Sequence, residues 1–399
     1  MVRILTRNIW ILSWVSLFTD VASEMLYPVM PVYLKSIGFS IALIGVLEGF
    51  AEATAGLSKG YFGSMSDAMA KRLPFVQIGY AFSALSKPLM AAFVSPLWIG
   101  FSRAIDRLGK GIRTGARDAL LSDESTQTTK GAVFGFHRSM DTFGAVLGPL
   151  CALLYLHYHP AAYKILFLMA FLPGIFAVAL TMLIKEKKKE PPLRKPSIRF
   201  FDFIRYWNNS PVMYKKLAGA LLVFTLFNSS DIFLLLKIKE AGFDDATVIG
   251  MYIFYNLMYA VFSYPLGILA DRVGMKKILS SGLVLFALTY FGMAYAESKV
   301  IFFLLFLLYG LYGASTEGIA KAWITNVCEN DKTATAIGAY TGFQSIATLF
   351  ASSLAGFIWI KFGARTAFLL TAVMTIMVVT YILGRIPEYR TASKIPSQE

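Results

Sequence analysis

Apolar stretches of about 20 residues recur along the whole of this chain, and they constrain its fold more than any other feature. A helix of that length rises about 30 Å, which is the hydrocarbon thickness of a bilayer. The 399 residues are 56% hydrophobic and only 16% charged, whereas soluble domains carry about 25% charged residues. A transmembrane barrel would show shorter, alternating segments. The sequence therefore predicts an all-α polytopic membrane protein.

The apolar stretches predict twelve transmembrane helices arranged as two pseudo-symmetric six-helix bundles. A basic, proline-punctuated linker over 185–216 holds ten Lys or Arg residues and separates bundle 1–184 from bundle 217–399, which ends in a short tail. The linker portion RFFDFIRYW is predicted to form a short amphipathic helix on the membrane surface. The predicted spans are 9–34, 41–62, 74–95, 97–121, 131–156, 162–184, 217–238, 245–270, 277–296, 299–322, 334–361 and 365–385.

Loop charges set the expected orientation and partners. Most Lys and Arg residues outside the spans fall in loops on one side, so the positive-inside rule places those loops and both termini in the cytoplasm. The same rule accounts for the net charge of +14 without a nucleic-acid partner. The first apolar segment is too long for a signal peptide and lacks a small-residue cleavage site, so we expect it to be retained. We expect a monomer in a bacterial inner (plasma) membrane, with Cys151 and Cys328 as free, buried thiols.

The two halves resemble each other internally. GSMSDAMAKR follows the second span, and GILADRVGMKK follows the eighth, six spans later. Gly63 thereby matches Gly267, and Asp67 matches Asp271. Duplicated halves are typical of transporters whose binding site lies at the midplane between them.

The loop GILADRVGMKK resembles the G-x-L-a-D-r-x-G-r-k loop motif of the major facilitator superfamily, and the similarity to that family extends over essentially the full length. The first copy is degenerate, because Ala68 and Ala70 stand where Arg and Gly are usual. The resemblance implies the major facilitator fold and a latch in which these loops contact helix ends. The gating residues expected there are Gly63, Asp67, Gly267, Asp271 and Arg272.

Three further motifs resemble the proton-coupled drug antiporter branch of that family. PVMP (28–31) is similar to the P-v-x-P that closes its first span. RLGKG (107–111) is similar to its R-x-x-q-G, with Lys110 where Gln is usual. GAVLGP (144–149) is similar to the G-x-x-x-G-P associated with antiporters. The resemblance implies export by proton antiport.

Two acids interrupt the first span. Asp20 lies ~16 Å from the start of that span, close to the midplane, and Glu24 follows one turn later on the same face. Two neighbouring carboxylates in a low dielectric are not both expected to be ionised, and their titrations couple. This pattern favours a proton-binding site, and the alternative is a pair neutralised by bases on neighbouring helices.

The fourth span carries a row of cations along one face. We call it the cationic stripe; its members are Arg103, Arg107, Lys110, Arg113 and Arg117, with Asp106 among them. A stripe of this kind cannot face lipid, so it faces either a water-filled cavity or acidic neighbours. In the first case it binds an anionic substrate.

In the second case the stripe is neutralised internally, and the charges of the first half favour substantial pairing. Six intramembrane acids, Asp20, Glu24, Glu48, Glu52, Asp106 and Asp141, balance six bases, Lys87, Arg103, Arg107, Lys110, Arg113 and Arg138. Both interpretations stay open, since a transport cycle can exchange an ion pair for a substrate contact. Glu48 and Glu52 are therefore included among the substrate-binding or charge-switch residues.

The fifth span holds FHRSMD, and Asp141 directly precedes the antiporter-like motif. We interpret Asp141 as a third coupling acid and His137 as a proton relay, because histidine titrates near neutral pH. The alternative is a structural hydrogen-bonded cluster of these residues against the fourth span.

The second half carries fewer charges. Asn228 and Asp231 in span seven take positions similar to those of the acids in span one, and they join the candidate substrate-binding residues. Glu317 and Lys321 are four apart in span ten, where internal symmetry aligns them with Arg113 and Arg117. We expect Arg113 to pair with Glu317 in a cytoplasmic gate, to which Arg117 and Lys321 also belong. Local pairing of Glu317 with Lys321 is the alternative.

Nothing in the sequence indicates an enzyme, a cofactor or a metal site. The glycines of RLGKGIRTG lack P-loop spacing, and His157 and His159 lack further ligands. The pattern predicts a secondary transporter that exports a small organic solute, anionic or amphipathic, in exchange for protons. One alternative is a proton-coupled importer of an anionic metabolite or a carboxylate-rich siderophore. A second is a non-transporting membrane sensor or scaffold.

Overall fold

The computed structural model describes residues 4–27, 29–160, 162–186 and 201–387, and all regular elements in these ranges are helices. The predicted all-α architecture of two six-helix halves is confirmed. The helices of the first half are α1 (Arg7–Glu24), α2 (Met30–Ser36), α3 (Ile41–Ala68), α4 (Leu73–Ala92), α5 (Pro96–Asp123), α6 (Lys130–Tyr158) and α7 (Tyr163–Thr181).

A short helix, α8 (Asp202–Asn209), lies in the linker, and the second half begins before the predicted boundary at residue 217. By length and hydropathy alone, six of the described helices qualify as membrane spans: α6, α7 and four in the second half. The helices of the second half are α9 (Val212–Phe227), α10 (Ile232–Glu240), α11 (Asp245–Val273), α12 (Met275–Met293), α13 (Lys299–Val327), α14 (Thr333–Phe362) and α15 (Ala364–Arg385).

The first span of each half is broken, where the sequence predicts a continuous helix. The prediction of 9–34 as one helix is wrong, since α1 ends at Glu24 and α2 starts at Met30. Pro31 stands in the first turn of α2, where its missing N–H costs least; Pro28 lies outside the described residues. In the second half, α9 ends at Phe227 and α10 starts after Asp231. At these breaks the amides of Tyr27, Val29 and Asn228 donate to nearby backbone carbonyls, so the chain itself satisfies them.

The two halves meet along two helix pairs, α3 with α14 and α6 with α11. An added Cβ on Gly63 would lie 2.4 Å from the Ala334 carbonyl oxygen, and one on Gly267 would lie 2.2 Å from that of Gly131. Only glycine permits backbones to approach this closely. These contacts lie on the side where α1 begins and α15 ends, which we call the terminal side.

The linker helix α8 is amphipathic as predicted, and its apolar face packs against protein. Phe203 is 1% exposed, and its ring fills the space beside Gly60 of α3. The same ring lies 5.9 Å from that of Phe343 on α14. The apolar face of α8 thus covers the junction between the halves on the terminal side.

The cysteines are free, but the expectation that both are buried is wrong. Cys151 is exposed on the outer surface of α6, and Cys328 is partly buried just after α13.

Candidate functional site

A central cavity of about 560 Å³ lies between the halves. Among the described residues that line it, nine are Lys or Arg and seven are Asp or Glu. The basic ones are Lys59, Lys87, Arg103, Arg107, Lys110, Arg113, Arg117, Arg138 and Lys321. The acidic ones are Asp20, Glu24, Glu52, Asp106, Asp141, Asp231 and Glu317. The cavity walls are therefore strongly polar and carry more positive than negative groups.

The cationic stripe of α5 faces this cavity, as the sequence predicts for one of its two readings. The opposite face of α5 holds Ile112 and Ala116, which are 4% and 0% exposed in the core of the first half. Close packing against α3 and α4 keeps the helix in this orientation, because Gly111 touches Ser58 and Gly109 touches the Gly79 backbone.

Charges on α5 also pair with neighbouring helices, as the second reading predicts, and they include Asp106 and the stripe residue Arg107. Lys87 of α4 forms an ion pair of 2.8 Å with Asp106, and both side chains are buried. Arg107 lies 4.0 Å from Glu52 of α3. Glu48 lies on the same helix, and its side chain is outside the described part of the chain. The two readings of the stripe therefore apply to different residues.

The three candidate coupling acids come together where α1 packs against α6. Asp141 accepts a hydrogen bond from Ser16 of α1 and pairs with Arg138 at 2.7 Å. Asp20 interacts electrostatically with Asp141, Glu24 and the stripe residue Lys110. Acids and bases of this cluster thus share one water-accessible wall.

The predicted pairing of Arg113 with Glu317 is wrong in this structure. Arg113 donates a 2.6 Å hydrogen bond to Ser83 and lies 4.6 Å over the ring of Tyr80, both in its own half. Glu317 pairs instead with Arg138 of α6 at 2.8 Å. The reason is that α13 packs mainly against α6 at this junction and presents Glu317 to that helix.

A second bridge between the halves involves an acid that the sequence reasoning missed. Asp118 is buried on α5 and accepts from Arg117 at 2.9 Å, and its second oxygen lies 3.0 Å from Lys321 of α13. Lys321 therefore does not pair locally with Glu317. The sequence did offer one signal for Asp118, namely that it lies within the charged segment of α5.

Both loop motifs contain a carboxylate that binds the start of a helix in the other half. Asp67 accepts from the Thr335 amide and hydroxyl at 2.6 Å each, at the start of α14. Asp271 accepts from the amides of Gly131 and Ala132 at 2.7 Å each, at the start of α6. Helix N-termini attract anions through their free amides and dipole.

The degenerate first motif thus forms the same kind of contact as the complete second one, and Asp67 also pairs with Arg72. Arg272 is exposed at the end of α11. We call the two carboxylate contacts the latch.

His137 is buried beside the Asp118 bridge and does not line the central cavity. Within the described chain, neither of its ring nitrogens has a hydrogen-bond partner. The predicted proton relay through His137 therefore has no hydrogen-bonded route to Asp141 in this structure.

Three tyrosines of the second half line the cavity. Tyr252, Tyr255 and Tyr259 repeat along one face of α11 and line the cavity. Asp231, at the start of α10, accepts a 2.6 Å hydrogen bond from Tyr309. Asn228 donates to Tyr312 at 3.1 Å and lines a smaller neighbouring cavity.

Lys59 of α3 is the largest omission from the sequence-based site. Its ammonium donates a 2.8 Å hydrogen bond to Ser345 of α14, across the junction of the halves. Lys59 lies inside the predicted span 41–62, so the rule that marks intramembrane charges as functional candidates should have identified it. Among the described residues, no group of three or more His, Cys, Asp or Glu side chains is placed to hold a metal ion.

Comparison with known proteins agrees with this geometry. The family model described as Major Facilitator Superfamily matches residues 12–257 and 232–399. The chain is 34% identical over 384 residues to MJ1317, an uncharacterized MFS-type transporter of Methanocaldococcus jannaschii, covering 94% of each chain. It is 23% identical over 388 residues to the multidrug resistance protein MdtG of Escherichia fergusonii, covering 94% of this chain and 93% of that protein.

Among solved structures, the human organic anion transporter MFSD10 (TETRAN) superposes with a TM-score of 0.81 at 14% identity. The match covers 94% of this chain and 99% of that one. At this identity the likeness shows the fold alone.

Proposed function

Since the chain belongs to the Major Facilitator Superfamily, a family of transporters rather than enzymes, we propose that it moves a small organic anion coupled to protons. Transport occurs by alternating access, in which the halves rock about the cavity. Its solute sites are the stripe and the cavity-facing groups of the second half, and its proton sites are Asp20, Glu24 and Asp141. We also place it in the inner or plasma membrane as a monomer, with the terminal side cytoplasmic.

One observation carries this proposal: acids and bases share a cavity in which bases are in excess. Asp20 and Glu24 interact electrostatically with Lys110, which is exposed in the cavity. When a proton neutralises one of these acids, Lys110 loses an attractive neighbour and its charge becomes available to an anion. Two unit charges about 6 Å apart interact by roughly 3 kcal/mol at an effective dielectric of 20, which is enough to change anion affinity about 100-fold.

The sign of this coupling favours co-transport, and hence import down a proton gradient, for an anionic solute. Protonation strengthens anion binding, and by linkage the bound anion strengthens protonation. Proton and anion therefore bind together and cross together.

Export by proton antiport is the second candidate function. The GAVLGP motif lies on α6 beside α1, where Gly144 and Gly148 touch the α1 backbone, and the likeness to MdtG points to efflux. Antiport requires solute and proton to exclude each other, which suits a neutral or cationic amphipathic solute that needs the ionised acids.

The sign of the driving gradient separates the two candidates. Radiolabelled phenyl phosphate, phthalate or benzyltrimethylammonium is added outside the proteoliposomes. Either the outside or the inside is then made acidic. Co-transport predicts anion accumulation when the outside is acidic, and antiport predicts accumulation of the cationic probe when the inside is acidic. Asp20→Asn is expected to abolish the pH dependence in either case. If no probe across a broad panel moves in response to either gradient, the sensor or scaffold alternative gains support.

A further inference from the structure

We infer that Lys59 and Ser345 form the subsite that holds the anionic group of the solute, a carboxylate or a phosphate, between the two halves. This inference rests on the proposed transport of an organic anion and assigns the residues that recognise its charge. Neither residue was singled out by the sequence motifs.

The surroundings of Lys59 call for an anion. Its side chain is 9% exposed, its ammonium faces the cavity, and its hydrogen-bond partner is the uncharged hydroxyl of Ser345. Within the described chain, no carboxylate lies within 4 Å of this nitrogen, although Lys87 and Lys321 both have such a partner. Burying an ammonium without a close counter-ion costs several kcal/mol, and a bound anion would offset that cost.

The charged groups that act on Lys59 are predominantly positive. Arg107 and Lys110 of α5 and Lys321 of α13 repel it, and Glu52, two turns away on its own helix, attracts it. Glu52 also interacts with Lys110 and lies 4.0 Å from Arg107, so one carboxylate is shared among several cations. Glu52 is the strongest of these neighbours, but the three cations compete for it, so an anion seated beside Lys59 would have several positive partners.

The subsite draws its groups from both halves. Lys59 lies on α3, whereas Ser345 and Gln344 line the cavity from α14. An oxyanion seated here accepts from the ammonium and from the hydroxyl or amide at once. Because α3 and α14 must separate when the terminal side opens, occupation of this subsite acts directly on the junction that moves.

The wall opposite suits the remainder of the ligand. Tyr252 and Tyr255 of α11 present ring surface to the same cavity, and a planar apolar body stacks on such rings. The ligand class is therefore a compact organic anion with a planar apolar portion, small enough for about 560 Å³.

Calorimetric titration of the purified full-length protein in detergent tests the inference without any proton gradient. The probes are phenyl phosphate and phthalate as soluble anions, dodecyl phosphate as a lipid-like phosphate, and benzyl alcohol as a neutral comparison. We expect the wild type to bind at least one anion more tightly than benzyl alcohol. Lys59→Gln should weaken that binding at least tenfold, whereas Lys299→Gln, the same charge change at an exposed position, should leave it unchanged. Binding of dodecyl phosphate alone, lost in Lys59→Gln, would support the subsite and assign it to a lipid-like anion.

A second variant keeps the test decisive if Lys59→Gln does not fold. Ser345→Asp supplies Lys59 with an internal carboxylate, so it should abolish anion binding while the melting temperature is kept. Anion binding within twofold of wild type in a folded Lys59→Gln or Ser345→Asp protein overturns the subsite, as does a wild type that binds none of the anions. Either result would leave proton-coupled transport intact if gradient-driven uptake of the anion is still observed. The subsite and the proposed transport can therefore be refuted independently.

Discussion

Replacing Gly267 by alanine should open the terminal side, and the structure sets the size of the effect. The new Cβ would lie 2.2 Å from the Gly131 carbonyl oxygen and 3.2 Å from the Gly135 Cα. Both are backbone atoms, so α6 and α11 must separate by about 1 Å to restore ordinary contact. The two 2.7 Å hydrogen bonds from Gly131 and Ala132 to Asp271 would then exceed hydrogen-bonding distance.

The expected shift is large enough to measure. Hydrogen bonds to a charged group contribute about 1.5–3 kcal/mol each. Hydrogen bonds to water partly replace these two bonds at the exposed helix end. We therefore expect the closed form to lose about 2 kcal/mol of stability relative to the open form. A loss of that size changes the ratio of closed to open protein about 30-fold.

Cys328 is a native reporter of this change. It lies just after α13 on the terminal side, where burial raises the pKa of its thiol to about 11. Because the thiolate is the reactive form, a pKa raised from about 9 lowers its reactive fraction near neutral pH about 100-fold. Opening of the terminal side removes the burial, lowers the pKa and restores the thiolate. Labelling should therefore be slow in the closed form and fast in the open form.

The assay is the rate of maleimide labelling of Cys328 in a Cys151→Ser background at pH 7.5. We expect Gly267→Ala to label at least tenfold faster than its parent. Gly250→Ala is the matched control on the same helix, since its added Cβ meets nothing within 4 Å. Equal labelling rates for Gly267→Ala and Gly250→Ala, at equal melting temperatures, would refute the reasoning about the latch.

Two further changes test the other contacts between the halves. Phe203→Ala should speed Cys328 labelling and lower stability by about 3 kcal/mol or more, as for a buried Phe truncation, whereas Ile204→Ala on the exposed face of α8 should do neither in a thermal melt. Arg138→Glu and Glu317→Arg should each impair solute uptake, since each leaves a like-charge pair, and the double reversal should recover part of it. Failure of the double variant to exceed both single variants would remove this bridge from the transport cycle.

The sequence predicted the elements that follow from the bilayer itself. Spans of the right length, the division into halves and the cavity-facing stripe of α5 all follow from the cost of placing polar groups in hydrocarbon. The loop motifs singled out Asp67 and Asp271, and each contacts the start of a helix in the other half, where only a few partners are within reach; their role in gating stays a prediction.

The errors arise where helix rotation and protein packing decide the contact. Internal symmetry fixed the depth of Glu317 but not the direction it faces, so it could not distinguish Arg113 from Arg138. Hydrophobic patterning identified α8 as amphipathic, but the same pattern fits a lipid surface and a protein groove. Lys59 was missed because its importance depends on Ser345, a residue of the other half that no local pattern connects to it.

Solute-driven proton movement tests the central claim most directly, since coupling between anion and proton must be reciprocal. Proteoliposomes containing a trapped pH-sensitive dye receive an inward gradient of the tested anion with no pH gradient imposed. The wild type is expected to acidify the interior as the anion enters, and Asp20→Asn is expected not to do so. Entry of radiolabelled anion into wild-type vesicles without any change in internal pH would contradict proton coupling through these acids.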